Sequence, residues 1–266
     1  MSSASAKEVW ASGDVYEPYV GRWSRRVAEE FLAWLEVPAG GRWLDAGCGT
    51  GALTQTILRE AQPEAVTGID SSAAYVAYAR DRTPDPRATF LVGDAESLPD
   101  PDGVYDAAVS GLVLNFVPHP ERMLAELVRV TRPEGVVGIY VWDYVDGMEL
   151  MRHFWDAAVA LDPAAREFDE GRRFSLCRPE PLAALFEQAR LGEVAVRAID
   201  VPTHFRDFDD YWRPFLGGQG SAPTYVMALA EERRGALREH LRARLPTEAD
   251  GAIRLTARAW TVRGTR

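Results

Sequence analysis

The segment Asp45-Ala46-Gly47-Cys48-Gly49-Thr50-Gly51 spaces its glycines G-x-G-x-G directly behind an acid. Glycine lets a chain turn sharply and lets a ligand approach where a Cβ would collide. The spacing differs from the G-x-G-x-x-G of a turn that cradles a pyrophosphate. An acid inside the turn repels phosphate and attracts a cation. Asp70 follows 25 residues after Asp45, and Asp94 follows 24 residues after Asp70. Asp70 closes a short apolar run, where a carboxylate can accept both hydrogen bonds of a ribose diol. Any one of these acids alone reads as a helix N-cap. Three at successive run ends, with the glycine turn, describe one ligand site.

The elements that must position them follow from periodicity. Val27, Phe31 and Leu35 form one apolar stripe on a helix over 24–36, stopped by Pro38 and Gly40-Gly41. Strands are expected at 42–46, 66–70, 89–92 and 105–110, with helices at 52–61, 72–82 and 120–131. Pro133-Glu134-Gly135 is expected to break the chain before a strand at 136–142. Apolar strands without clear alternation, separated by helices, imply a parallel sheet buried on both faces, so the fold class is doubly wound α/β. Such sheets bind ligands outside the carboxyl ends of their strands, where the three acids converge. Further on, helices are expected at 148–161 and 179–189 and strands at 193–201 and 253–262. The division expected is an N-terminal lid and helix (1–36), a core (37–202 and 251–266) and a helical cap inserted at 203–250 between the sixth and seventh strands.

The 266 residues, 47% hydrophobic and 26% charged, suffice for one sizeable core. The net charge of −10 argues against a nucleic-acid partner. Two cysteines make no disulfide framework. There is no apolar leader and no run long enough to span a membrane, so a cytoplasmic location is expected and no membrane partner.

At these residues the sequence resembles the class I S-adenosylmethionine-dependent methyltransferases, in the small-molecule branch that includes the ubiquinone/menaquinone-biosynthesis C-methyltransferases. The resemblance rests on 45–51, Gly68-Ile69-Asp70, Gly93-Asp94-Ala95-Glu96-Ser97-Leu98-Pro99 and 105–110, and it covers roughly 10–142. It implies a seven-stranded sheet with a reversed last strand and S-adenosylmethionine as cofactor. Asp45, Gly47 and Gly49 would hold the methionine and ribose portion, Asp70 the ribose hydroxyls, and Asp94 with the N–H of Ala95 the adenine. Ser110 would lie near the methionine amino group. Tyr16, Tyr19 and Arg22 resemble a lid segment, with an aromatic ring over the sulfonium and the guanidinium on the carboxylate; equally, they anchor the first helix. A ligand with a sulfonium, an ammonium and no phosphate agrees with an acid-lined site.

Methyl transfer works chiefly by positioning, so a sequence need not reveal a catalytic residue. Candidates are His119, past the fourth strand, and Asp143 and Tyr144, closing the fifth; the last two read equally as a capping Asp with a packing Tyr. Phe205, Phe208, Tyr211, Trp212, Phe215 and Tyr225 line the crevice for a partly apolar acceptor, or simply pack the cap. Arg172-Arg173 and Arg178 hold an acidic acceptor group or face solvent. No metal site and no nucleic-acid methylation motif is recognisable. The expected activity is therefore methylation of a small, partly apolar metabolite. The rivals are a cofactor-binding protein that does not methylate (a cyclase or regulatory module) and a less favoured NAD(P)-dependent oxidoreductase. Oligomeric state and acceptor identity are not written in these residues.

Overall fold

The computed structural model describes residues 22–217 and 220–266. Helix α1 (Arg22–Leu35) leads into β1 (Arg42–Ala46), α2 (Ala52–Glu60), β2 (Ala65–Asp70), α3 (Ala73–Arg82), β3 (Ala88–Val92) and β4 (Tyr105–Gly111). These follow the expected alternation within a residue or two. Pro120 opens α4 (Pro120–Val130) at its first turn, where a missing N–H costs nothing. Met123, Leu124 and Leu127 form its buried face.

β5 (Thr131–Trp142) differs from expectation, because Pro133-Glu134-Gly135 does not end the pairing. Tyr105 pairs with Thr131 and Ala107 with Val136, so the register shifts and the intervening residues bulge out of the ladder. Proline has no N–H to give the ladder, and a bulge absorbs it. Thr131 holds the entry by donating its hydroxyl to the Leu127 carbonyl at 2.7 Å.

The later elements are α5 (Glu149–Leu161), the short α6 (Glu170–Arg173), α7 (Pro179–Gln188) and β6 (Gly192–Phe205). Then come α8 (Phe208–Trp212), α9 (Ser221–Ala228), α10 (Glu231–Arg244) and β7 (Ile253–Thr265). β6 runs beyond the expected 193–201, since Val201, Thr203 and Phe205 continue an alternating buried face. The inserted helices therefore begin at Phe208.

The sheet order is β3-β2-β1-β4-β5-β7-β6, with β7 antiparallel to both neighbours and the rest parallel. This is the doubly wound sheet with a reversed last strand. The strand order reverses beside β1, which pairs with β2 on one side and β4 on the other. That switch point is where an open sheet leaves a crevice. α1 covers the back of β5: Phe31 meets Tyr140 edge-on at 4.9 Å, and a Cβ on Gly138 would lie 2.8 Å from Leu35.

Candidate active site

The turn after β1 is anchored at its start by backbone bonds. The N–H groups of Gly47 and Cys48 both donate to the Ile69 carbonyl, at 2.7 and 3.0 Å. Gly47 has φ +78, and a Cβ there would sit 2.5 Å from Val113 Cγ2. Gly49 has φ +51, and the position of its missing Cβ is open space. One glycine is thus required by a packed neighbour and the other leaves room.

Asp45 is 1% exposed. Thr54 donates its hydroxyl to Asp45 Oδ2 at 2.7 Å, while the buried Oδ1 has no partner among the described residues. Burial pushes its pKa up to about 7; the Thr54 hydrogen bonds oppose the rise and the Asp70 charge adds to it. Asp70 bridges two elements, its Oδ2 accepting from Gly49 N at 2.9 Å and its Oδ1 from Ser72 N at 2.8 Å. Burial raises its pKa as well. A carboxylate has about four acceptor sites, so Asp70 retains capacity beyond these two bonds. Cys48, buried beside both acids, is held protonated by burial and by their charges.

The cleft built here has a volume of about 250 Å³. Its only charged lining residues among those described are Asp45 and Asp70. Sequence reasoning missed four aromatic residues of the lining. Tyr75, in the first turn of α3, has a buried hydroxyl without a partner among the described residues, and burial with the Asp70 charge pushes its pKa up to about 12. Tyr140 lines the opposite side, accommodated by Gly111, where a Cβ would lie 2.4 Å from the phenol oxygen. Trp142 presents a buried Nε1 with no partner among the described residues. Phe116 packs edge-on against Phe174 at 5.2 Å.

Of the expected site residues, Asp45, Gly47, Gly49, Asp70 and Tyr144 meet at this cleft. Ser110 is fully buried one residue before the lining Gly111, and its Oγ has no partner among the described residues. Asp94 and Ala95 lie past the end of β3 and outside the lining; Asp94 is exposed and accepts from Glu96 N at 2.9 Å. His119 also lies outside, as the half-exposed N-cap of α4, with its Nδ1 3.7 Å from Glu121. Asp143 is 3% exposed but does not reach the cleft. Its Oδ1 accepts the N–H groups of Val145 and Asp146, each at 3.1 Å, so the carboxylate shapes the turn that aims Tyr144. Tyr16, Tyr19 and the side chain of Arg22 lie outside the described residues.

Of the two readings of the aromatic residues in the inserted segment, packing is the one the structure shows, since none of these rings lines the cleft. Phe215 stacks on Phe154 of α5 at 4.6 Å, and Tyr225 tilts against Trp155 at 5.6 Å. Tyr211 donates its hydroxyl to the Leu150 carbonyl at 2.9 Å. These rings fix the inserted helices to α5. No helix among the described residues is long and apolar enough to cross a membrane.

Residues 44–139, which include the glycine turn and both acids of the cleft, match a family model described as a methyltransferase domain. A ubiquinone/menaquinone biosynthesis C-methyltransferase of Methylobacterium nodulans is 38% identical over 174 residues, covering 59% of this chain and 68% of that protein. A malonyl-[acyl-carrier protein] O-methyltransferase of Pectobacterium atrosepticum is 33% identical, covering 54% of this chain and 60% of that protein. The chain spans about half the length of several other curated relatives it matches. In fold it is similar to a putative methyltransferase from Bacillus halodurans, with TM-score 0.59 and 12% identity over 90% of this chain and 97% of that one. An identity of 38% along two thirds of a C-methyltransferase, together with the methyltransferase-domain match over 44–139, makes this chain a member of the class I S-adenosylmethionine-dependent methyltransferases.

Proposed function

We propose that the cleft binds S-adenosylmethionine and that the protein transfers its methyl group to a small, partly apolar acceptor. The observation that carries this reading is the buried Asp45 carboxylate with one oxygen unpartnered among the described residues, in a cleft whose charged lining there is acidic. A buried carboxylate without a cation is costly, so the site is built for a positively charged ligand. A dinucleotide would set its phosphates against two acids with no basic residue among the described lining to receive them.

S-adenosylmethionine supplies an electrophilic methyl group on a sulfonium. In the proposed arrangement Asp45 and Asp70 give the cation and the ribose hydroxyls their acceptors, and the positive-φ turn lets the ligand lie against the backbone. Asp94 and Ala95 would bound the adenine from beyond β3, and Ser110 would serve the amino group. Tyr140, Trp142 and Tyr144 form an aromatic wall at the carboxyl end of β5 that excludes water and holds an apolar acceptor. The Trp142 N–H, without a partner among the described residues, is a polar group there that can orient it. Contact between acceptor and methyl supplies much of the acceleration. A base is needed only for an acceptor that must lose a proton, and Tyr144 is the candidate residue at the cleft for that step. His119 and Asp143, outside the lining, are assigned no such step.

The test is formation of S-adenosylhomocysteine from S-adenosylmethionine across a panel of apolar hydroxyl, amine and activated-carbon acceptors. Acceptor-dependent product supports the proposal; tight cofactor binding with no product for any acceptor favours a protein that binds without methylating. Asp70→Ala is expected to weaken cofactor binding about 10- to 100-fold, the loss of one or two charge-assisted hydrogen bonds, measured by calorimetry. Unchanged affinity would remove Asp70 from the ribose.

A further inference from the structure

A second groove, of about 790 Å³, begins at Val145, directly after Tyr144. Arg152, Arg166, Arg172 and Arg178 line it against two acids, Asp156 and Asp169. In a chain of net charge −10 this is a local reversal of sign. Asp169 is already engaged: it accepts from Arg152 Nη1 at 3.0 Å and from Arg152 Nη2, and it takes Gly171 N at 2.9 Å. The nearby Glu170 is buried and accepts from Trp155 Nε1.

Arg166, Arg172 and Arg178 remain exposed, and none of their guanidinium groups makes a hydrogen bond or ion pair with a described residue. Elsewhere the surface arginines of this chain are commonly paired: Arg59 with Glu29, Arg87 with Asp85, Arg129 with Glu126, Arg132 with Asp106 and Arg258 with Asp200. Three unpaired guanidinium groups around one concavity repel one another and gain by sharing an anion. The groove also abuts the cleft. Gly171 in its lining packs so closely on Tyr144 that a Cβ would lie 2.5 Å from the Tyr144 carbonyl oxygen, and Tyr144 lines the cleft.

We infer that this groove is a binding site for a carboxylate or phosphate group, held by Arg166, Arg172 and Arg178, and that the methyl acceptor carries that group. Planar guanidinium forks suit both anions through paired N–H donors. The assignment of the anion to the acceptor rests on the methyltransferase reading; the site itself does not. The acceptor class is then an apolar molecule with an anionic end.

The test titrates the wild-type protein and the triple variant Arg166→Gln, Arg172→Gln, Arg178→Gln with inorganic phosphate and with succinate, at low and high salt. The expected result is salt-sensitive binding of at least one anion, weakened at least tenfold in the variant, with S-adenosylmethionine affinity unchanged. The preferred anion identifies the class. Absent binding, or equal binding by both proteins, overturns the site. Should the triple variant misfold, the exposed single substitution Arg172→Glu gives the same comparison. Discriminating anion binding without S-adenosylmethionine binding keeps the site and defeats the methyltransferase reading. For an acceptor found in the product assay, the triple variant raises KM at least tenfold; an unchanged KM removes the groove from acceptor binding.

Discussion

Asp45→Asn is expected to stabilise the ligand-free protein above neutral pH while weakening S-adenosylmethionine binding about a hundredfold or more. The carboxylate is fully buried, and Thr54 satisfies Oδ2 while Oδ1 has no partner among the described residues. Asparagine keeps the shape and an acceptor for the Thr54 hydroxyl but removes the charge. The sign follows from linkage. A pKa raised from 3.8 to about 7 means that the folded chain holds a proton there that the unfolded chain has lost. Stability from this group is therefore fully present below the unfolded value and lost as pH rises through 7. The variant escapes that loss, so its advantage is largest above pH 7 and shrinks in acid. On the order of 2 kcal/mol is expected, seen as a rise of a few degrees in Tm.

Cofactor affinity moves the other way. A cationic ligand is served by the ionised carboxylate, so wild-type affinity increases with pH through about 7 and the variant shows no such dependence. Melting curves and calorimetry across that range check both halves. A lower Tm with unaltered affinity would make Asp45 a purely structural partner of Thr54.

Gly47→Ala is expected to cost about 2–5 kcal/mol of stability, combining left-handed strain with overpacking. At φ +78 the new methyl would lie 2.5 and 2.7 Å from the two Val113 methyls. Val113 lines the cleft, so its displacement also reduces cofactor affinity. Val113→Ala in the same chain removes those methyls and is expected to restore part of the stability. Gly49→Ala separates the two effects. Its Cβ meets nothing within 4 Å, so the cost is the strain of φ +51, about 1–2 kcal/mol, while the methyl occupies space beside the ligand. Denaturant unfolding with cofactor titration distinguishes them: Gly47→Ala loses both stability and affinity, whereas Gly49→Ala loses mainly affinity. Equal stability losses would contradict the packing argument.

The near side of the cleft was legible because its parts are contiguous. A glycine spacing and its leading acid sit in one short segment, and strand-end acids recur at regular intervals. The far side was not. β5 is buried on both faces, so its sequence shows no alternation to tell which side chains reach the crevice, and Tyr140 and Trp142 read only as strand residues. Tyr75 was hidden because few residues of α3 are buried, leaving no stripe to orient it. Asp143 and Tyr144 are neighbours with opposite uses, one folding the turn and the other facing the cleft. Only backbone geometry separates them. The aromatic residues of 203–250 announced a packed layer, but not what it packs against. Phe154 and Trp155 of α5, equally aromatic, supply that partner.

The central claim is that an acid-lined cleft at the sheet's switch point takes a cationic adenosyl ligand. Side-by-side calorimetric titration with S-adenosylmethionine, S-adenosylhomocysteine and NAD tests it most directly. Micromolar binding of both adenosyl compounds and none of NAD is expected. Binding of NAD, or of neither adenosyl compound, would contradict it.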